Sequence, residues 1–264
     1  MKKKYYGQHF LNNKKTINEI VNVFDLTNKT VIEIGPGAGA LSRALLTKAL
    51  FVYGFEIDTD LKETLLKLER EHHNFKVIYQ DILTVDLNTF MKEKKLKESY
   101  LIANIPYYIT GPILMKLLET EKITKAIIMM QKEVGLRLLA KAGKSYNSLS
   151  VYMQTFYELK KERLVKRTNF NPPPLVDSII ISFVKKDDYL KRITNLDNYL
   201  EFVKFSFVQK RKTLVNNLST SFKLPKDEVI KKLMSIDLNY NPLTRAESLT
   251  IENFISYSEG WYRD

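Results

Sequence analysis

The chain has 264 residues, 44% of them hydrophobic, with 42 Lys and Arg against 30 Asp and Glu, for a net charge of +12. That length suits one large or two modest domains with a sizeable core, and a charge excess of this size favours a polyanionic partner, nucleic acid being the commonest, over a merely solvated basic surface. The absence of Cys excludes disulfides, thiolate metal sites and cysteine nucleophiles together, and with them base methylation at cytosine C5 through a cysteine adduct.

No apolar run approaches a membrane span, and the opening MKKKYYGQHFLNN carries charge without the apolar stretch of a secretory signal, so a cytoplasmic protein is expected. Residues 30–34, TVIEI, are a β-branched run that stops at GPGAGA, and ALSRALLTKAL after it has helical periodicity. FVYGFEID (51–58) predicts a second strand, TDLKETLLKLERE a second helix and FKVIYQDI (75–82) a third strand. A short helix is expected over 86–95, a fourth strand over YLIAN (100–104), a helix over GPILMKLLE and a fifth strand over KAIIMMQ (125–131). KEVGLRLLAKAG predicts a further helix that Gly143 would stop. Strands alternating with helices imply an α/β, Rossmann-like parallel sheet covered on both faces.

After KSYNSLSV the pattern changes. LSVYMQTFYEL and PLVDSIIISFVKK read as two more strands, an antiparallel edge to the sheet, separated by FNPPP. From 187 onward LDNYLEFVKFSFVQKRKTLVNNLS, PKDEVIKKLMSI and TIENFISYSEGWY predict helices, with 187–195 as a polar linker. The expected division is a catalytic domain over 1–186 and a smaller all-helical, RNA-binding domain over 187–264. No internal repeat or low-complexity tract is present.

EIGPGAG places Gly35, Gly37 and Gly39 between the first strand and the first helix, where a backbone without side chains can approach a ligand closely. Glu56 ends the second strand, 21 positions after Gly35, where a carboxylate can accept both hydroxyls of a ribose. An adenosine-containing cofactor at the switch point of the sheet satisfies both features. A dinucleotide usually shows G-x-G-x-x-G, with pyrophosphate on the helix N-terminus. The spacing here is G-x-G-x-G, and S-adenosylmethionine, which has no phosphate, needs no such clamp. Asp81, closing the third strand, suits the exocyclic amine of the cofactor's adenine; the competing assignment is a helix cap or turn residue. The order of these features on successive strand ends favours S-adenosylmethionine over a dinucleotide.

ANIPYYITGP (103–112) follows the fourth strand. Pro106 and the restricted Ile105 make a rigid extended corner. The lone pair of an adenine N6 is delocalised into the ring and is a poor nucleophile. The Asn104 side-chain oxygen and the Ile105 carbonyl can each accept one N6 hydrogen, drawing the nitrogen toward tetrahedral geometry, while Tyr107 stacks on the base. The competing assignment is a strand-terminating turn with a core Tyr. Phe170, before the triple proline, can close the opposite face of the base or be simple loop packing. Tyr108 has no assigned role beyond a wall, and His72 and His73 read as solvated turn residues with no metal-ligand spacing around them. Lys2, Lys3 and Lys4, and a helix carrying Lys210, Arg211 and Lys212, are candidate phosphate contacts, the alternative being solvated charge runs. Such contacts would position an RNA whose target base leaves its stack to reach Asn104.

GQHFLNN, VIEIGPGAGALS, FEID, QDIL, NIPYYIT, MMQKEVGLRLLA, SLSVYMQ, FNPPPLVDS, QKRKTLVNN and RAESLT occur in an order that resembles the rRNA adenine N6-dimethyltransferases over nearly the whole chain. QKRKTLVNN and the helical C-terminal region are similar to the bacterial small-subunit enzymes of that family rather than to its large-subunit resistance methylases. The resemblance implies a monomeric, metal-free, S-adenosylmethionine-dependent enzyme acting on two adjacent adenosines in a hairpin loop near the 3′ end of 16S rRNA during small-subunit assembly. It makes His9 and Leu11 cofactor contacts, gives Gly35 the loop role, Glu56 the ribose, Asp81 the adenine amine, and Asn104 both cofactor and target. His9 stands where the family often has Asn, and Tyr108 where it often has Asn or His. Two other functions compete: a large-subunit methylase conferring antibiotic resistance, and an assembly or transcription factor of the same fold that only binds nucleic acid.

Overall fold

The computed structural model describes residues 9–187 and 190–263; Lys2, Lys3 and Lys4 lie outside them. The chain passes from a first compact unit into a second after Gly135, returns after Glu158 and leaves again after Lys185. Residues 136–158 thus belong to the second compact unit together with residues 186 onward.

The elements of the first unit begin with β1 (Phe10–Leu11), α1 (Lys14–Val21), β2 (Thr30–Ile34), α2 (Ala40–Leu46), β3 (Phe51–Glu56), α3 (Lys62–Glu71), β4 (Phe75–Tyr79), α4 (Leu87–Glu93), β5 (Ser99–Asn104), α5 (Thr110–Glu119) and β6 (Ile123–Gln131). α6 (Lys132–Leu138) leads out, α7 (Ser148–Phe156) lies in the second unit, and β7 (Tyr157–Val165), β8 (Phe170–Asn171) and β9 (Ser178–Lys185) follow. Seven strands form one helix-flanked sheet in the order β4-β3-β2-β5-β6-β9-β7. β2 pairs in parallel with β3 and β5, β3 with β4, and β5 with β6, while β9 runs antiparallel to β6. The order reverses at β2, so a crevice opens beyond the C-terminal ends of β2, β3 and β5. All five residues of β2 are buried, as are the first five of β5, which is why these strands are largely apolar and do not alternate with a period of two.

β1 is a strand of two residues that pairs with β8, Phe10 opposite Asn171 and Leu11 opposite Phe170. α1 follows it directly. Asn13 caps this helix by accepting from the Thr16 N–H at 2.9 Å, and Ile17, Ile20 and Val21 bury its apolar stripe.

Three expected elements are corrected. LSVYMQTFYEL is not a strand throughout: 148–156 is helical, and strand begins only at Tyr157. Asn147 starts the helix by accepting from the Ser150 N–H at 2.9 Å. Six of the nine helical residues are buried, so no polar face reveals a 3.6-residue period. The helix expected over 132–143 stops at Leu138. The Leu138 and Ala140 carbonyls instead accept from Gln154 Nε2, at 2.7 and 2.8 Å. The long helix expected over 196–219 is two, α8 (Leu196–Ser206) and α9 (Leu214–Phe222), separated by a turn over 207–213.

In the second unit α10 (Lys226–Ile236) and α11 (Ile251–Trp261) join α7, α8 and α9. Phe202 and Trp261 meet with ring centroids 5.8 Å apart, Phe222 reaches Trp261 at 5.0 Å, and the Lys232 ammonium sits 5.0 Å over the same indole. Buried Tyr199 shares a 2.7 Å hydrogen bond with Thr155, which satisfies its hydroxyl inside the core.

Candidate active site

The glycine loop is shaped by close approach as much as by its own freedom. Gly37 has φ +59°, a left-handed conformation, and a side chain there would come within 3.0 Å of the Phe10 ring. Across the loop, a Cβ on Gly54 of β3 would meet Pro36 Cγ at 2.7 Å. The neighbouring strand thus gives up its side chain so that Pro36 can lie against it. The Gly35 N–H donates to the Phe55 carbonyl and the Gly39 N–H to the Pro36 carbonyl, both at 2.9 Å.

Glu56 ends β3 and is 3% exposed. One carboxylate oxygen accepts from the Gly37 N–H and the other from the Asp58 N–H, each at 2.9 Å. Burial raises its pKa, and these backbone donors work against the rise. A carboxylate has about four acceptor positions, so each oxygen keeps capacity for a diol while the backbone fixes its orientation. Glu33, on β2, is 1% exposed and takes no part in lining the pocket. Its carboxyl is pushed up to about 8 by burial, with the Ser42 hydroxyl opposing and the charge of Glu56 adding. Among the described residues neither Glu33 Oε2 nor Ser42 Oγ completes a hydrogen bond.

Asp81 follows β4. Its Oδ1 accepts from the Leu83 N–H at 2.9 Å and caps a short 3₁₀ turn, Ile82–Thr84. The capping assignment is therefore real, and it uses one oxygen of a side chain that also lines the pocket. Ile57 and Ile82 supply apolar wall beside the two carboxylates.

Asn104 ends β5, half-buried, and its amide nitrogen donates to the His9 carbonyl at 3.3 Å. The His9 ring makes a 2.7 Å hydrogen bond with the Pro172 carbonyl. With the amide nitrogen committed to His9, Asn104 Oδ1 is presented as an acceptor. Ile105 is buried at 2% exposure, and Pro106 leads into a 3₁₀ turn, Tyr107–Ile109. Tyr107 shares a 2.7 Å hydrogen bond with Ser178 Oγ, and burial raises its phenol pKa. Its ring lies 6.0 Å from the His9 ring, tilted by 30°. Phe170, 5% exposed, faces the same space from β8.

His9, Leu11, Gly35, Glu56, Asp81, Asn104, Ile105, Pro106, Tyr107 and Phe170 all line one pocket. Tyr108, read from the sequence as a wall residue only, lines it too, and so do Phe10, Ile57 and Ile82, which were not singled out for it from the sequence. The signal available for the two isoleucines was their position, each directly after a strand-end carboxylate. Lys210, Arg211 and Lys212 are exposed in the second unit, on the turn over 207–213 rather than on a helix. Buried Asn217 holds that turn: its amide nitrogen donates to the Ser206 carbonyl at 2.7 Å and the Gln209 carbonyl at 3.2 Å, and its oxygen accepts from the Gln209 N–H at 3.0 Å. His72 and His73 lie between α3 and β4. Among the described residues no group of three or more His, Cys, Asp and Glu could hold a metal ion, and no helix is long and apolar enough to cross a membrane.

Chemically, the pocket offers a rigid diol acceptor, an acceptor beside an apolar slot, a tight glycine loop, and an amide oxygen flanked by an aromatic ring. A family model described as ribosomal RNA adenine dimethylase matches residues 1–257. The chain is 44% identical over 267 residues to the ribosomal RNA small subunit methyltransferase A of Aster yellows witches'-broom phytoplasma (strain AYWB), an alignment spanning 98% of this chain and 96% of that one. Among solved structures it is similar to a dimethyladenosine transferase from Plasmodium falciparum, with TM-score 0.79, 26% identity and coverage of 94% and 96% of the two chains. It is also similar to the 23S rRNA methyltransferase ErmE, with TM-score 0.72, 25% identity and coverage of 96% and 100%.

Proposed function

The chain belongs to the ribosomal RNA adenine dimethylase family, and from that premise we propose that it methylates N6 of two adjacent adenosines in a hairpin loop near the 3′ end of 16S rRNA during small-subunit assembly. It is an S-adenosylmethionine-dependent rRNA methyltransferase. The pocket suits that cofactor. The braced Glu56 carboxylate matches a ribose diol, Asp81 beside Ile57 and Ile82 matches an adenine with its amine, and the Gly35–Pro36–Gly37 backbone leaves room for the methionine portion. His9 and Leu11, on the segment joined to β8, would cover it. When bound, S-adenosylmethionine supplies an electrophilic methyl on a sulfonium.

The chain's own residues supply positioning and acceptors. Asn104 Oδ1 and the Ile105 carbonyl would each take one N6 hydrogen, and Tyr107 and Phe170 would hold the two faces of the adenine. A strong base and a metal are both dispensable, since the N6 proton can leave after transfer. The carrying observation is the Asn104 amide: its nitrogen donates to the His9 carbonyl at 3.3 Å, which anchors a side chain whose oxygen can accept, in the pocket that Tyr107 also lines.

One observation favours the small subunit over the large, and another favours an enzyme over a factor that only binds nucleic acid. Identity to a small-subunit enzyme is 44% across the whole chain, against 25% to ErmE. A purely binding role would leave Glu56 and Asn104 without a task. The enzyme is proposed to act in the cytoplasm as a monomer, with the helical second unit contributing to RNA binding. Mass spectrometry of rRNA from cells with and without the protein tests the proposal. The dimethyladenosine pair should vanish from 16S rRNA when the protein is absent; loss from 23S rRNA instead would overturn it.

A further inference from the structure

Tyr107 and Tyr108 leave the same 3₁₀ turn, where successive side chains diverge by about 120°. Tyr107 turns inward, its hydroxyl tied to Ser178 at 2.7 Å. Tyr108 lines the same pocket yet is 64% exposed, so its ring stands at the rim. An RNA strand with one base inside the pocket must carry the neighbouring nucleotide across the rim, one nucleotide step away. Aromatic rings at such places act as stacking platforms for bases.

We propose that Tyr108 is a positioning residue that stacks on the nucleotide flanking the target adenosine, so that the enzyme prefers a purine at that position. The proposal rests on the small-subunit assignment above and deepens it.

The test measures initial methylation rates on small-subunit particles assembled with unmodified rRNA, bearing either adenosine or uridine beside the target. With adenosine there, Tyr108→Ala should raise KM for the particle about tenfold, the scale of one lost base–aromatic stack, with kcat little changed. Tyr108→Trp should restore it. The wild type should lose a similar factor on the uridine particle, and Tyr108→Ala should lose nothing further. Equal sensitivity of wild type and Tyr108→Ala to the flanking base would overturn the proposal. So would a matching loss of affinity for S-adenosylhomocysteine by calorimetry, which would put the ring in the cofactor site. Failure of the wild type to methylate either particle would overturn the small-subunit assignment and this inference with it, and is recognised before any variant is made.

Discussion

Asn104 serves structure and chemistry through opposite ends of one amide. Its nitrogen donates to the His9 carbonyl, and its oxygen is the acceptor proposed for the target amine. Asn104→Ala removes the acceptor from the reacting amine, and loss of one such preorganised contact costs about a hundredfold or more in kcat. S-adenosylhomocysteine affinity should change little, because Glu56 and the glycine loop hold their places by backbone hydrogen bonds. Calorimetry beside a turnover assay checks this, and near-normal kcat would remove Asn104 from the chemistry. Glu33 has a different signature. Its carboxyl is raised from 4.5 to about 8 by burial, so the folded chain keeps a proton that the unfolded chain releases. Between those two values the native state binds more protons, and stability falls as pH rises, levelling off above the upper one. Glu33→Gln is neutral at every pH and should flatten that fall in a series of thermal melts from pH 5 to 9. Unchanged slopes would show that Glu33 ionises without cost.

At the scale of elements, the turn over 207–213 depends on a side chain rather than on breakers. It contains no Gly or Pro, and Lys, Arg and Gln all favour helix, so the sequence reads through it. Asn217 stops α8 by taking the Ser206 and Gln209 carbonyls, and Thr213 restarts the helix by capping α9. Asn217→Ala would leave buried backbone groups unsatisfied and should cost about 1–3 kcal/mol in urea denaturation. A loss well below that range would mean the turn forms without its tether. The helix α7 was hidden for the converse reason: it is buried almost all round, and pattern arguments need a polar face. By contrast the parallel strands β2 to β5 were legible at once, because each ends at or within two residues of a Gly, a Pro or a carboxylate.

For the whole molecule, the excess of positive charge, +12, matters through the polyanion it binds. Replacing Lys210, Arg211 and Lys212 together by Glu should weaken RNA binding and leave cofactor affinity unchanged. If each contacts one phosphate, the slope of log affinity against log salt should shrink by about 0.7 per contact. An unchanged slope would make the turn a solvated charge run, and parallel loss of cofactor binding would make it structural. These residues lie in the second unit and the pocket in the first, so the two effects are separable in principle.

What the sequence by itself determined was the chemistry at each strand end: a glycine loop, a carboxylate, a second carboxylate and an acceptor corner, in an order that a parallel sheet must line up along one edge. Those signals are local, since each needs only a strand and the few residues after it. Tertiary structure alone decided how the segment at 9–11 meets 170–172, which turns the Asn104 amide and adds a wall of His9 and Phe170. It also decided that 136–158 leaves the sheet unit. Both outcomes depend on contacts between residues far apart in the chain, whose formation is set by packing and backbone hydrogen-bond satisfaction and leaves no mark in any short stretch of sequence.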